Sequence, residues 1–199
     1  MADANELLRR CQRSDESALE LLINLLGSRV FRLAFRVLGD AGRADEASAD
    51  VFVKVWSKCG QWRQDSSATT WIFRIAYRTI IDERRRAKFT LRPVNEEIPD
   101  TGRSPDEVAS DKETQERNSR QLQHALSQLT TEEQALVHLH YFEGLSLTEI
   151  GEIIGATRDA LKMRLARTRD KLRGILTQQA RNEKAITKTR NDENTKDDL

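Results

Sequence analysis

Cysteine, proline and glycine are all scarce in this chain of 199 residues, which has two, three and nine of them. Two cysteines, Cys11 and Cys59, are too few for a disulfide framework. Free thiols are therefore expected, and a cytoplasmic setting with them. So few prolines and glycines argue against the turn-rich connections of an all-β fold. The apolar stretch Ala18–Leu26 is too short and too interrupted to span a bilayer. Nothing at the N-terminus resembles a secretion signal. Histidine is rare as well, and His138 and His140, two apart on an expected helix, point in different directions and make a poor metal pair. No Ser/His/Asp or Cys/His constellation and no glycine-rich phosphate loop has supporting context. The expectation is a protein that catalyses nothing and carries no metal and no cofactor.

What the chain does have is charge, at 33% of its residues, and the net value of +1 hides an uneven distribution. Residues 1–92 carry +5, residues 93–117 carry −5, residues 118–176 carry +1 and residues 177–199 carry zero. Two regions with cationic surfaces flank an acidic connector, which suits a protein that grips nucleic acid at two places.

The periodicity is helical throughout. A short helix, Glu6–Arg13, precedes a Ser14-Asp15 cap and a long helix that ends at Gly39. That helix places Leu19, Leu22, Ile23, Leu26, Val30, Leu33, Ala34 and Val37 on one stripe. A third helix spans about 44–58, with Val51, Phe52, Val55 and Trp56. A fourth spans about 69–86, with Ile72, Ile75, Ala76, Thr79 and Ile80 inward. The outer face of the fourth offers Phe73, Arg74, Tyr77, Arg78 and Ile81. Residues 93–103 read as a flexible linker. Ser104-Pro105 restarts a helix with proline at its first position. The fold expected is all-α: a helical domain over 6–92, a linker over 93–103, a second helical domain over 104–176 and a disordered polar tail over 177–199.

The most specific local pattern is Tyr141–Arg173. Ser146 and Glu149 form an S-x-x-E capping box, as do Thr130 and Glu133 one helix earlier. Ile150, Ile153 and Ile154 follow at helical spacing, and Gly155 stands where a helix stop wants a left-handed residue. Gly151, a costly residue in mid-helix, points to another helix crossing closely there. Thr157 caps a further helix whose Leu161, Leu165, Thr168 and Leu172 share one face. Two helices joined by so short a turn have the geometry of a major-groove reader. The reader helix carries seven basic and two acidic residues between Arg158 and Arg173. Met163, Ala166 and Arg167 face away from the leucines, between cationic flanks that fit phosphate backbones.

Taken together, Ala44–Trp56 (ADEASADVFVKVW), Trp71–Arg86 (WIFRIAYRTIIDERRR) and Leu129–Leu172 resemble the bacterial RNA polymerase sigma-70 family, in its compact extracytoplasmic-function (ECF) group. The resemblance covers nearly all of residues 6–176. It implies that 6–92 is sigma region 2, which binds core polymerase and recognises and melts the −10 element. It implies equally that 104–176 is region 4, which recognises the −35 element. By the same resemblance Glu46, Asp50, Phe52 and Trp56 dock on the clamp coiled coil of the polymerase's largest subunit. Arg74, Tyr77 and Arg78, with Arg84, Arg85 and Arg86 for phosphates, handle the −10 strand. Lys162, Met163, Ala166 and Arg167 read the −35 groove, with Arg158, Arg164 and Arg169 on phosphates. Arg78 stands where the family usually has Asn, a departure at the −10 base pocket. Partners implied are core polymerase and promoter DNA, with an anti-sigma factor as a further candidate. A helix-turn-helix regulator that acts without polymerase, its N-terminal helices sensing a ligand or dimerising, is the competing reading, and a helical adaptor that binds only protein is a third.

Overall fold

The computed structural model describes residues 3–88 and 120–194, with side chains described over 3–86 and 120–181. The expected linker and the helix start at Ser104 lie outside the described residues. Every regular element among the described residues is helical. The N-terminal unit consists of α1 (Ala4–Gln12), α2 (Glu16–Leu38), α3 (Ala41–Lys58) and α4 (Ala68–Lys88), with a 3₁₀ turn at Cys59–Gln61. The C-terminal unit begins with α5 (120–127) and continues through α6 (Thr131–Val137) and a π-helical turn, His138–Phe142, to α7 (Leu147–Ile154) and α8 (Arg158–Asn194). No helix among the described residues is long and apolar enough to cross a membrane.

Helix α2 is the spine. Its Leu22, Leu26, Val30 and Leu33 recur at three- and four-residue steps and are wholly buried. Each such side chain contributes roughly 1.5–3 kcal/mol on leaving water. Around them pack Leu7 and Leu8 of α1, Val51 and Val55 of α3, and Ile72, Ala76 and Ile80 of α4. Ile23, expected on the same stripe, is 40% exposed instead. The helix stops at Gly39, whose φ of 72° is the left-handed conformation a terminal residue needs. The start differs from expectation: Asp15 makes no side-chain cap, because its carboxylate accepts from Arg10 Nε at 2.8 Å and Ser17 Oγ at 2.7 Å.

Both expected capping boxes are formed, Thr130 with Glu133 and Ser146 with Glu149. Gly155 closes α7 at φ 81°. The close approach at Gly151 comes from a different neighbour than the crossing helix its position suggested. A Cβ there would lie 2.6 Å from the carbonyl oxygen of Ala156, so the tight turn itself excludes a side chain. Helix α8 runs far beyond residue 176, where the helical domain was expected to end. The extension is rich in Gln, Ala, Arg, Glu and Lys and has no proline or glycine after Gly174. Intrinsic helix preference accounts for it without an apolar stripe.

The two units are in contact. Helix α7 packs along α4 as extensively as α3 does, and α6 also touches α2. Leu136, Leu139, Ile150, Ile153, Leu161 and Leu165 join the same continuous apolar core as α2 and α4.

Candidate nucleic-acid interface

Helix α8 presents to solvent the face expected to read bases. Leu161, Leu165 and Thr168 are buried against α6 and α7, and Thr168 spends its hydroxyl on the Arg164 carbonyl at 2.9 Å. Thr157 caps the helix by accepting from the Ala160 N–H at 3.3 Å. With that face pinned inward, Lys162, Met163 and Arg167 stand exposed and Ala166 sits half-buried between them. Met163 is 59% exposed, an unusual place for a thioether and a suitable one for apolar contact with a base edge. Arg158 and Arg169 are exposed at the flanks. Arg164, half-buried, stands 4.0 Å from Glu132 of α6, and Lys171 pairs with Glu133 at 3.0 Å. The sequence-level assignment of faces on this helix is the one the packing produces.

Helix α4 is different. Of its expected inward face, Ile72, Ala76, Thr79 and Ile80 are buried and Ile75 is half-buried. Phe73, expected on the outer face, is also completely buried. Arg74 donates from Nε to the Glu152 carbonyl at 3.0 Å and pairs with the Glu152 carboxylate at 3.4 Å. Tyr77 is half-buried, and its hydroxyl pKa is raised first by that burial and then by Glu132. Arg78, Arg85 and Arg86 are exposed. Arg84 was expected on phosphates. Instead its Nη1 donates to the Leu38 carbonyl at 3.2 Å, closing the C-terminus of α2, where a cation is electrostatically favoured.

On α3, Glu46 and Asp50 are exposed one turn apart. They line a groove between α3 and α4 whose other walls are Ala47, Lys54, Thr79, Asp82, Glu83 and Arg86. Trp56 is half-buried at the far end of the helix. Phe52 is only 5% exposed and belongs to the core, so it offers no docking surface. The exposed apolar residue beside it is Val53. Asp82 and Glu83 went unnoticed in the sequence because they lie among the arginines of α4; placing α4 against α3 brings them to this groove.

One further cluster, at the π turn, had no sequence signal beyond an isolated histidine. Buried His138 sits with its Nε2 3.1 Å from Glu143 Oε1, and Arg29 of α2 donates to Glu143 Oε2 at 2.5 Å. Burial lowers the His138 pKa, which outweighs the raising effect of Glu143. In the neutral ring the proton then sits on Nε2, and Nδ1 has no partner among the described residues. The Glu143 pKa is also lowered: burial opposes this, but the bonds from His138 and Arg29 outweigh it. His140 turns elsewhere, its Nδ1 3.1 Å from the Leu145 carbonyl.

Comparison with known proteins finds two family models in the chain. The family model described as Sigma-70 region 2 matches residues 22–90, and that described as Sigma-70, region 4 matches residues 125–174. The chain is 27% identical over 186 residues to the ECF RNA polymerase sigma factor SigK of Mycobacterium tuberculosis strain H37Rv, covering 87% of this chain and 92% of that protein. SigK of Mycobacterium ulcerans is 25% identical, with coverages of 87% and 91%. Among solved structures, CnrH in complex with the cytosolic domain of CnrY has a TM-score of 0.64 at 20% identity, covering 88% of this chain and 98% of that one. The sigma factor RpoE of Bartonella quintana, in complex with the anti-sigma factor NepR, also has a TM-score of 0.64, at 18% identity with coverages of 79% and 96%.

Proposed function

This chain belongs to the sigma-70 family, in its extracytoplasmic-function group, and from that we propose the division of labour among its surfaces. It binds core RNA polymerase and directs transcription to promoters with paired −35 and −10 elements. Nucleotide addition is left to the polymerase. The observation that carries the reading is the joint presence, in order on one chain, of a region 2 match and a region 4 match whose reader helix keeps its polar face in water. A regulator acting without polymerase has no use for the first of these, and no observation favours the adaptor.

Residues 158–173 of α8 supply −35 recognition. Lys162, Met163, Ala166 and Arg167 meet bases, while Arg158, Arg164 and Arg169 hold phosphates. Arg74, Tyr77 and Arg78, with Arg85 and Arg86, serve the unpaired −10 strand through stacking and charge. Glu46, Asp50 and half-buried Trp56 dock on a basic helical element of core polymerase, and Asp82 widens the acidic patch. An anti-sigma protein is a further partner, as NepR is for RpoE of Bartonella quintana.

The test is reconstitution. Purified chain is mixed with bacterial core polymerase, promoters are selected from a genomic fragment library, and run-off transcripts are mapped. Discrete start sites that share two spaced elements are expected. Failure to associate with core at physiological salt would falsify the assignment.

A further inference from the structure

We propose that helix α1 is a template for the loop between α3 and α4, and that Asn5, Arg9 and Gln12 are positioning residues for the unpaired −10 strand. This rests on the sigma reading, which gives that strand to α4. Helix α1 lies before residue 22, where the region 2 match begins, so the match itself assigns it no part. Its apolar stripe, Ala4, Leu7, Leu8 and Cys11, is buried and accounts for its place in the core. Beside that stripe runs a second one. Asn5, Arg9 and Gln12 follow at steps of four and three residues, are half-buried and share one side of the helix.

All three reach the same short stretch, residues 59–68. Gln12 Nε2 donates to the Cys59 carbonyl and to the Trp62 carbonyl, each at 2.9 Å. Arg9 Nε donates to Gln64 Oε1 at 3.2 Å. Asn5 Oδ1 accepts from the Ala68 N–H at 2.8 Å. One helix thus holds the stretch at its start, its middle and its end. Ala68 opens α4, where an N–H has no partner within the helix, and Asn5 supplies one from 63 residues away.

The loop needs such a template. Gln64 sits at φ 62°, a left-handed conformation that costs a non-glycine residue free energy and persists only where the surroundings impose it. Inside the loop, the Trp62 indole N–H donates to the Ser66 carbonyl at 3.0 Å, which closes the turn around Gln64 but fixes neither end. What the loop presents is polar: Arg63, Gln64, Asp65 and Ser67 are exposed. Two turns beyond Ser67, about 10 Å along α4, stands Arg74, followed by Tyr77 and Arg78. The loop therefore adjoins the residues given to the −10 strand. An unstacked base is read by groups that must be in place when it arrives, and ordering a loop at that moment subtracts from affinity. Holding the loop through α1 removes that cost.

The experiment uses the full chain, free and assembled with core polymerase. Asn5→Leu/Gln12→Met removes the hydrogen bonds at both ends of the loop and leaves the apolar stripe of α1 untouched. Asn5→Asp is the conservative variant, because its carboxylate still accepts from the Ala68 N–H. In the free chain, amide hydrogen exchange over residues 62–68 should quicken about tenfold or more in the double variant and stay at the wild-type rate over α2 and α8. In the holoenzyme, the preference for a single-stranded oligonucleotide carrying the non-template −10 sequence over a scrambled one should fall about tenfold. Binding to a −35 duplex should not change, whereas loss of folded protein would lower both. Gln12→Met alone should show the same pattern at smaller size, and Asn5→Asp should keep the wild-type preference. Unchanged exchange overturns the template. Quickened exchange with the −10 preference intact overturns the positioning role, as does a parallel loss on the −35 duplex or an Asn5→Asp variant as impaired as Asn5→Leu. A wild-type holoenzyme that prefers neither oligonucleotide removes the −10 reading of α4 and the positioning role with it, and the exchange difference then marks that separate failure.

Discussion

Helix α8 and helix α4 carry the same kinds of side chain and stand in opposite states. On α8 one face is apolar and the other polar, so burying Leu161 and Leu165 leaves Lys162, Met163 and Arg167 outside. On α4 the apolar residues run around the helix, with Ile72, Ala76 and Ile80 toward α2 and α3 and Phe73 on another side. A helix with two sticky faces is covered twice. The difference teaches that a basic composition places no residue on a surface. What decides is whether a second partner exists for the remaining apolar side chains.

The largest effect comes from removing what holds the two grips at working distance. Reversing Glu46 and Asp50 to lysine puts two like charges against any basic docking element, at a cost of several kcal/mol. Promoter-directed run-off should fall at least about a hundredfold. The melting temperature should change little, because both carboxylates are in solvent. Unchanged transcription from this variant would move the docking surface elsewhere on the chain.

Next in size is Gly151→Ala, which strikes the reader alone. The new methyl group meets the Ala156 carbonyl oxygen at 2.6 Å, and a backbone atom cannot swing aside as a side-chain tip can. A loss of about 1–3 kcal/mol is expected, the range for overpacking. Denaturant melts measure it, and −35 duplex binding should decline with it. Gly27→Ala, whose nearest neighbour is a flexible Ile23 methyl group at 3.6 Å, is the tolerated control.

Much of this contrast could be read from the chain, and the part that could not has one cause. Capping boxes at Thr130 and Ser146, the stops at Gly39 and Gly155 and the buried faces of α4 and α8 follow from rules acting within a turn or two. Phe73 and Arg84 were misplaced, and the partner of Arg74 was not foreseen, because their surroundings come from distant parts of the chain: α7, Glu152 and the end of α2. Periodicity finds the most apolar face of a helix and says nothing about a second. A usable sign was present, since Phe73, Tyr77 and Ile81 lie along one line opposite the expected core. Glu143 had no such sign. A lone carboxylate before a glycine reads as a loop residue, and only the π turn, with its bond from Glu143 N–H to the His138 carbonyl at 3.1 Å, carries it inward.

Within the open grip the two kinds of cation should separate. Arg167→Ala should relax discrimination at one base pair by about 1–3 kcal/mol if the side chain reads a guanine edge. Arg169→Ala should weaken binding alike on all sequences and lower the salt slope by about one. Duplex titrations on matched and single-substituted −35 sites across a salt series provide the check. Equal loss of specificity in both variants would place them in the same role.

The smallest predicted effect is the dependence of folding stability on pH, and its direction follows from His138. Burial holds that ring neutral, with a folded pKa below its ordinary 6.5, so below about pH 6.5 the unfolded chain takes up a proton that the folded chain refuses. Stability must therefore rise with pH through this window and decline as pH falls. The slope from one such group cannot exceed about 1.4 kcal/mol per pH unit. Glu143 adds nothing here. Its pKa is lowered too, so its contribution is intact throughout and is lost only in the more acidic range, below the ordinary carboxylate value. Urea melts at pH 7.5 and 5.5 should differ in the wild type, and His138→Gln, which can still donate to Glu143 but cannot titrate, should flatten that difference. Arg36 and Arg32 also oppose a charge on that ring, which sets the same direction. If the wild type and His138→Gln shift alike between the two pH values, the dependence originates in another group, and the asymmetry between α4 and α8 rests on packing rather than on the charges at the turn.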